Sequence, residues 1–236
     1  QLKILIHPKS YLHAIVKFDD GLSKLLVHDT NMTIPIFNSI YFNTDKKLKS
    51  KDIDLNQFKP ANVGVQIKWS KFMNKYFGEP LKNIKISSGK LTSRGEALIT
   101  KSGLEGGGVY EVSTALREGG YFEIDLFPDF SVKYISNLLS KPRQKNSIGN
   151  HLRKTLNLSG ARMALVNEAL HPIQSDLNKL AHSLKNLKVN YLAAQPIDQA
   201  ISTSGGVAFS ALDNKLMLRK APQVFCVGEM IDWDAP

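Results

Sequence analysis

The sequence predicts a multidomain protein of mixed α+β and α/β class, in which a β-rich domain with a nested helical subdomain interrupts a second sheet. Three observations lead to this prediction. Before residue 126 apolar residues recur with a period of two, which is typical of strands. Between residues 127 and 186 the period changes to about 3.6, which is typical of helices. Strand signals then return and end in the wholly apolar run Val224–Val227, which suits a strand covered on both faces.

Residues 1–58 are predicted to be a strand meander followed by a linker. Three apolar segments read as strands: Leu2–Ile6, Ala14–Phe18 and Leu25–His28. The turn Asp19-Asp20-Gly21 favours a hairpin, so the three strands are expected to pair antiparallel. From Asn43 to Lys59 the chain is rich in Lys, Asp, Asn and Ser, which predicts a linker that ends near Pro60.

Residues 59–126 are predicted to form a β-rich domain. Four further segments have strand character: Val63–Ile67, Leu81–Ile86, Glu96–Thr100 and Tyr121–Asp125. A short helix is expected between Ser70 and Gly78, because serine favours a helix start and glycine a helix end. The glycine run Gly103–Gly108 precedes a helical segment, and either an anion-binding loop or a tight turn explains it.

Residues 127–186 are predicted to be the helical subdomain, 187–206 the return through the β-rich domain, and 207–236 the return to the first sheet. The helical stretches are Val132–Leu139, Ile148–Leu156, Ala161–Leu170 and Ile173–Leu184. The returning strands are Val189–Ala194 and the terminal run Val224–Val227. The domain order is therefore sheet, β-rich domain, helices, β-rich domain, sheet.

Composition limits the function classes. The chain of 236 residues has a formal net charge of +10 and one cysteine, Cys226, for which a buried structural role is expected. We see no membrane-length apolar run and no signal peptide at the start, which favours a cytoplasmic protein without a membrane partner. The lysine clusters at 46–51 and 141–145 lack interleaved aromatics, so nucleic acid is not expected as the main partner. The six histidines show no metal-binding spacing, so no metal site is predicted.

Two segments near the C-terminus carry the strongest binding signals. Ser202–Val207 combines hydroxyls with Gly205 and Gly206, where a ligand can approach the backbone closely, although a glycine-rich connection explains the segment as well. Gly228 and Glu229 follow the apolar strand about twenty residues later, and Asp232 offers a hydrogen-bond acceptor for sugar-type hydroxyls. Ligands of α/β sheets collect beyond the carboxyl ends of strands, so the two segments are expected to meet at one site.

Several motifs together closely resemble a family of FAD-dependent flavoproteins, the NAD(P)/FAD-dependent oxidoreductases that include aminoacetone oxidase. The matching motifs run in order from near residue 59 to the end: Leu81-Lys82-Asn83, Arg94-Gly95-Glu96, Thr100–Gly107, Ser147–Lys154, Ala200–Val207 and Val227–Pro236. The resemblance implies a Rossmann-type FAD domain interrupted by a β-rich domain with a helical insertion, so segments 1–58 and 207–236 are remnants of that FAD domain.

The resemblance also implies a cofactor and its contacts. FAD is the expected cofactor, with Gly205, Gly206 and Val207 near its isoalloxazine and Gly228, Glu229 and Asp232 near its ribityl chain. The resemblance assigns no catalytic acid or base. NAD(P)H is a candidate electron donor, and the expected partner is a small-molecule substrate of amine or nicotinamide type.

The departures from the family pattern define two hypotheses. The family's GxGxxG fingerprint is missing from this sequence, so the chain is expected to be an internal piece or a degraded relative of a longer flavoprotein. The first hypothesis is that the parent protein is an FAD-dependent oxidoreductase. The alternative is a non-catalytic basic module that binds nucleic acid or another acidic partner, because the chain is basic and lacks the fingerprint.

Overall fold

The computed structural model describes residues 3–6, 13–19, 22–28, 52–222 and 224–234. The chain divides into two compact units: unit 1 is Gln1–Ala61 with Pro196–Pro236, and unit 2 is Asn62–Gln195. The elements of the chain are helices and mainly antiparallel sheets, which confirms the predicted mixed α/β class. The Rossmann-type origin of unit 1 and the five-segment division of the chain stay predictions.

The elements are numbered in chain order. The described strands are β1 Lys3–Ile6, β2 His13–Asp19, β3 Leu22–His28, β4 Leu55–Ala61, β5 Val65–Gln66, β6 Pro80–Ser88, β7 Leu91–Ile99, β8 Gly103–Glu105, β9 Glu123–Asp125, β10 Leu187–Lys188, β11 Ala193–Ala194, β12 Ser202–Val207 and β13 Val224–Val227. The described α-helices are α1 Gly107–Tyr110, α2 Ser113–Arg117, α3 Val132–Leu139, α4 Ile148–Leu156, α5 Gly160–Leu170 and α6 Leu177–Lys185. Short 3₁₀ helices cover Lys71–Tyr76, Ile197–Gln199, Phe209–Ala211 and Gly228–Met230.

Unit 1 contains three two-stranded sheets among its described residues. The predicted hairpin is confirmed, because β2 and β3 pair antiparallel from His13↔His28 to Asp19↔Leu22. The three-strand meander is wrong, because β1 pairs parallel with β13 in the register Lys3↔Val224 to Ile6↔Val227. Local turn signals identify a hairpin partner, whereas a strand partner more than two hundred residues away leaves no local signal.

The predicted linker is also partly wrong. Its last residues belong to β4, which pairs antiparallel with β12 from Ser202↔Ala61 to Val207↔Leu55. The side chain of Phe58 packs in a small apolar core with Val207 and Cys226. A lysine-rich composition hid this strand, because only two of its seven residues are buried. Residues 29–51, including most of the predicted linker, lie outside the described residues.

Unit 2 is built on a seven-stranded antiparallel sheet in the order β10-β9-β6-β7-β8-β5-β11. Its long central hairpin, β6–β7, runs from Pro80↔Leu98 to Ser88↔Leu91. The glycine run ends in α1, which spans only four residues and whose Gly108 Cα faces the Glu96 carbonyl oxygen of β7. A Cβ at Gly108 would lie 2.7 Å from that oxygen, so close packing explains this glycine without an anion.

The helices of unit 2 begin where the sequence supplies caps. The hydroxyl of Ser131 accepts a hydrogen bond from the Tyr134 amide at the start of α3, and Ser147 does the same for Asn150 at the start of α4. Asp176 accepts two backbone amides at the start of α6. Each cap satisfies amides that have no partner within the helix, which stabilises these short elements by about 1 kcal/mol each.

One buried ion pair connects α6 to the sheet of unit 2. The Lys185 ammonium lies 2.6 Å from the Asp125 carboxylate, and the two side chains are 15% and 14% exposed. Lys185 also donates to the Phe127 carbonyl oxygen at 2.8 Å, while Asp125 accepts the Phe127 amide. These extra bonds satisfy both charged groups, which a buried pair requires.

Among the residues that the structure describes, no helix is both long enough and apolar enough to cross a bilayer.

Candidate functional site

The six predicted binding residues all lie in unit 1, on β12 and on the segment that follows β13. Gly205 and Gly206 adopt φ values of 89° and 135°, which side-chain-bearing residues rarely adopt. The register between β12 and β4 shifts between Ser204 and Gly206, so the strand bulges there. The glycine pair therefore marks an irregular point of β12 next to the C-terminal segment.

Backbone hydrogen bonds bring the two predicted segments together. The Gly205 amide donates to the Trp233 carbonyl oxygen at 2.9 Å, and the Asp232 amide donates to the Val207 carbonyl oxygen at 2.9 Å. Val207 also forms a bridge with Ile231. The expected convergence of the glycine pair with the acidic corner is therefore present in unit 1. Binding of a flavin by these residues stays a prediction.

The glycine pair has a packing role of its own. A Cβ at Gly205 would lie 2.4 Å from the Gln57 carbonyl oxygen of β4, and a Cβ at Gly206 would lie 2.6 Å from the Met230 carbonyl oxygen. These distances are shorter than real Cβ contacts, and the neighbouring atoms belong to the backbone. Both glycines are buried. Glycine is thus required here because segments of the same chain approach on these sides, whether or not a ligand is bound.

Asp232 is the side chain of the site whose contacts suit a hydroxyl-bearing ligand. Its Oδ2 accepts a hydrogen bond from the Asn56 side-chain amide of β4 at 2.6 Å, and the side chain is half-buried. Its Oδ1 forms no hydrogen bond with the residues that the structure describes. Asn56 therefore holds the carboxylate in place and leaves one oxygen able to accept from a ligand.

Asn56 was missed by the sequence reasoning. It lies in the stretch that composition assigns to a linker, and no motif surrounds it. Its relevance arises from the pairing of β4 with β12 and from the return of the C-terminal segment beside them. The one available signal was the strand character of residues 55–61, which the surrounding lysines obscured.

Gly228 and Glu229 form the first part of the 3₁₀ helix Gly228–Met230, directly after β13. Gly228 is exposed and has a φ of 64°, so its backbone is accessible at the end of the strand. Met230, by contrast, is buried in the apolar core of unit 1. Glu229 lies between them, and its predicted contact with the ribityl chain stays a prediction.

Cys226 lies in β13, two residues before Gly228. Its side chain is fully buried, and burial raises the pKa of its thiol from 9.0 to about 11. Burial disfavours the charged thiolate, which is the reactive form of the side chain. Cys226 therefore supports the core of unit 1 and is not a nucleophile at neutral pH.

A cavity of about 280 Å³ also lies in unit 1, but none of the six predicted residues lines it. Its wall includes Ser210 and Arg219 together with the ion pair Asp52–Lys220, whose Nζ–Oδ2 distance is 2.5 Å. The hydrogen bond from Lys220 lowers the pKa of Asp52. This cavity is smaller than the 300–1,000 Å³ that drug-sized ligands generally need.

The residues of unit 1 fit one part of an FAD better than another. Asp232 and the exposed backbone at Gly228 suit the hydroxyls of a ribityl chain. The Cβ sides of Gly205 and Gly206 face backbone of the same chain, so a flavin ring would have to approach this pair from another side. Among the described residues, no group of three His, Cys, Asp or Glu side chains is arranged to hold a metal ion.

Comparison with known families gives a match that covers all of unit 2 and a few residues on either side of it. The sequence model of the HI0933-like protein barrel and H2TH domain matches residues 59–202, which is 144 of the 236 residues. This family lies within the group of FAD-dependent NAD(P)/FAD oxidoreductases. The matched range includes the seven-stranded sheet and all six described α-helices.

Two curated proteins resemble shorter parts of the chain. A 63-residue stretch is 81% identical to the 1-deoxy-D-xylulose 5-phosphate reductoisomerase of Pelagibacter ubique (strain HTCC1062), covering 27% of this chain and 16% of that enzyme. A 55-residue stretch is 33% identical to the reductoisomerase of the same name from Anaplasma phagocytophilum (strain HZ), covering 23% of this chain and 14% of that enzyme. The chain thus spans only 16% and 14% of the lengths of these two curated relatives.

Proposed function

Because the chain belongs to the family of HI0933-like protein barrel and H2TH domains, we propose that it is part of an FAD-dependent oxidoreductase. The single observation that carries this proposal is the family match over residues 59–202. FAD would supply the transfer of hydride or electrons, and the protein would bind and orient it. The donor we propose is a small molecule of amine or nicotinamide type, with NAD(P)H as one candidate.

Within this proposal Asp232 binds a ribityl hydroxyl through Oδ1, while Asn56 fixes the orientation of the carboxylate. The Gly228 backbone, which is exposed at the end of β13, forms a further contact with the ribityl chain. Gly205, Gly206, Val207 and Glu229 remain proposed contacts of the same cofactor. All six residues lie outside the matched range 59–202, so the support from unit 1 is the convergence of their two segments and not the family match.

The 81% identity to a reductoisomerase supports a shared segment of 63 residues. Because that segment covers only 16% of the enzyme, it does not extend the reductoisomerase activity to this chain. The flavoprotein proposal rests on a match more than twice as long, and it is the one that we put to experimental test.

The test is a titration of FAD with the 236-residue chain, in which the loss of flavin fluorescence measures binding. The variant Asp232→Ala is expected to weaken binding by about tenfold or more, because a hydrogen bond to a charged group contributes about 1.5–3 kcal/mol. Asn56→Ala is expected to weaken binding less, since it removes only the positioning bond. The control is Asp198→Asn, which changes a half-buried carboxylate of unit 1 on the 3₁₀ helix Ile197–Gln199.

The outcomes separate two errors. If the chain and its variants bind no FAD, and no visible flavin absorbance appears after reconstitution, the flavoprotein proposal is wrong for this chain. If FAD binds but Asp232→Ala and Asp198→Asn bind it equally well, the cofactor is correct and the ribityl contact is wrong.

A further inference from the structure

The helical part of unit 2 concentrates the positive charge of the chain. From Phe130 to Asn167 the sequence has seven Lys or Arg residues and no Asp or Glu, against a net charge of +10 for the whole chain. We call this stretch the acid-free segment. Six of its seven basic side chains are exposed: Lys133, Lys141, Arg143, Lys145, Arg153 and Lys154. None of these six forms an ion pair with a carboxylate in the described part of the chain.

The fold places an aromatic pair at the start of this segment. Phe130 and Tyr134 stack with ring centroids 4.9 Å apart and an interplanar angle of 25°. They are 44% and 47% exposed, so both rings have surface available to a ligand. Phe130 precedes the Ser131 cap of α3, and Tyr134 lies in the first turn of that helix.

A cavity of about 400 Å³ joins the aromatic pair to the positive charge. Phe130 and Tyr134 line it together with Lys154 of α4 and Arg162 of α5. The Lys154 ammonium contacts only a neutral group, the Asn146 side-chain oxygen, at 3.0 Å. This volume lies within the range of small-ligand pockets. Arg162 is already engaged by the Leu126 carbonyl oxygen and the Phe127 ring. The cavity therefore combines a stacking surface with one ammonium, that of Lys154, whose charge is available for a ligand.

The carboxylate in the cavity wall does not oppose an anion. Asp129 is bound by the guanidinium of Arg94 and accepts a hydrogen bond from the Asn83 amide at 2.8 Å. These partners, Asn83 first, lower the pKa of Asp129. Its negative charge is thus paired with Arg94 and hydrogen-bonded by Asn83, two groups of the β6–β7 hairpin.

We propose that unit 2 binds single-stranded nucleic acid, with one base stacked in this cavity on the Phe130–Tyr134 pair and the phosphates of adjacent nucleotides along the acid-free segment. Stacking accepts any base, and basic side chains accept the backbone, so this binding is expected to be tolerant of sequence. A free nucleotide has the same base and phosphate chemistry, but it would leave most of the six exposed cations without a partner. The extended strand is therefore the ligand that the charge distribution favours.

This proposal departs from the sequence-based expectation for a physical reason. Along the chain, the lysine cluster at 141–145 has no aromatic neighbour, and this argued against a stacking platform. In the folded unit, Lys154 and both rings line one cavity although twenty or more residues separate Lys154 from them. The interleaving of charge and aromatics exists in space and is absent from the linear order.

The experiment measures binding of a fluorescein-labelled oligothymidylate of about 12 nucleotides to the 236-residue chain by fluorescence polarisation. Phe130→Ala and Tyr134→Ala are each expected to raise Kd by about fivefold to 100-fold, as loss of base stacking does elsewhere. Lys154→Gln is expected to reduce the slope of log Kd against log salt by about 0.7. A purely structural role of Lys154 would not change this slope.

Matched controls are available in the same unit. Phe72 is 43% exposed and lies against Tyr76, yet it is outside the cavity, so Phe72→Ala is expected to leave Kd unchanged. Lys101 is an exposed lysine outside the acid-free segment and serves as Lys101→Gln. Thermal unfolding of each variant confirms that it is folded.

Three results would overturn the proposal. The first is no binding at about 50 mM salt, where electrostatic binding is strong. The second is binding that both cavity variants and Phe72→Ala affect equally, which would indicate only a nonspecific basic surface. The third is competition by thymidine monophosphate as strong as that by the unlabelled oligomer, which would make a free nucleotide the ligand.

Discussion

Replacement of Gly206 by alanine tests whether packing alone requires the glycine pair. The residue has a φ of 135°, and an added Cβ would lie 2.6 Å from the Met230 carbonyl oxygen and 2.9 Å from the Asp232 amide nitrogen. Both atoms belong to the backbone, so rotation of a side chain cannot relieve the overlap. Strained backbone costs about 1–2 kcal/mol and overpacking about 1–3 kcal/mol. We therefore expect Gly206→Ala to lower the free energy of unfolding of unit 1 by about 2–5 kcal/mol.

The assay exploits the two tryptophans, because Trp69 lies in unit 2 and Trp233 lies in unit 1. In a Trp69→Phe background, the fluorescence change during urea unfolding reports unit 1 only. The strain control is Gly78→Ala in a Trp233→Phe background, since Gly78 has a φ of 90° and no atom within 4 Å of an added Cβ. The free energy of unfolding of unit 2 should fall in this variant only by the strain contribution of about 1–2 kcal/mol.

A second control separates strain from substitution itself. Gly107 has no positive φ and no atom within 4 Å of an added Cβ, so Gly107→Ala should not destabilise unit 2. If Gly206→Ala proves no more destabilising than Gly78→Ala, the close approach of the Met230 backbone is not the reason that position 206 requires glycine, and the packing explanation is refuted. Since no FAD is added, the result is independent of the cofactor.

Two further predictions concern charged and titratable groups. Lys185→Met should destabilise unit 2 by about 3 kcal/mol, because it removes the ammonium paired with the largely buried Asp125 carboxylate. Lys188→Met on the exposed face should have little effect, and equal urea midpoints for the two variants would contradict this. Burial raises the pKa of the Cys226 thiol to about 11, so the folded chain holds this proton more tightly than the unfolded chain. The contribution of the thiol to stability should be complete below about pH 9 and decrease as the pH rises towards 11. The urea midpoint of Cys226→Ala should therefore fall less over this pH range than that of the unsubstituted chain. An identical fall in the two proteins would exclude the thiol as the source of the pH dependence.

Local chemistry made some elements predictable. The helices α3 and α4 have the predicted bounds, because the Ser131 and Ser147 hydroxyls cap them directly. The strand β13 also has its predicted bounds, since four consecutive apolar residues are followed by a glycine. Each of these signals lies within a few residues of the boundary that it defines.

Pairings between distant segments were not predictable in the same way. β1 resembles the first strand of a meander, yet its partner β13 lies at the other end of the sequence. β4 has two buried residues among seven, so its composition resembles that of a linker until β12 supplies a partner. Asn56 could not be identified as a contact of Asp232 for the same reason. The sequence thus indicated which residues meet at the site but not the strand that holds them.

The family match and the candidate site support the flavoprotein proposal from different parts of the chain. The match ends at residue 202, and the six predicted contacts begin at Gly205. The matched domain model therefore does not cover these residues, which come from the resemblance of the C-terminal motifs, and their convergence in unit 1 is an observation that the match does not supply. Because packing explains Gly205 and Gly206 without any ligand, the test must rest on Asp232, whose Oδ1 has no role that the described contacts account for. A change in FAD affinity at this carboxylate would link unit 1 to the family in a way that neither observation does alone.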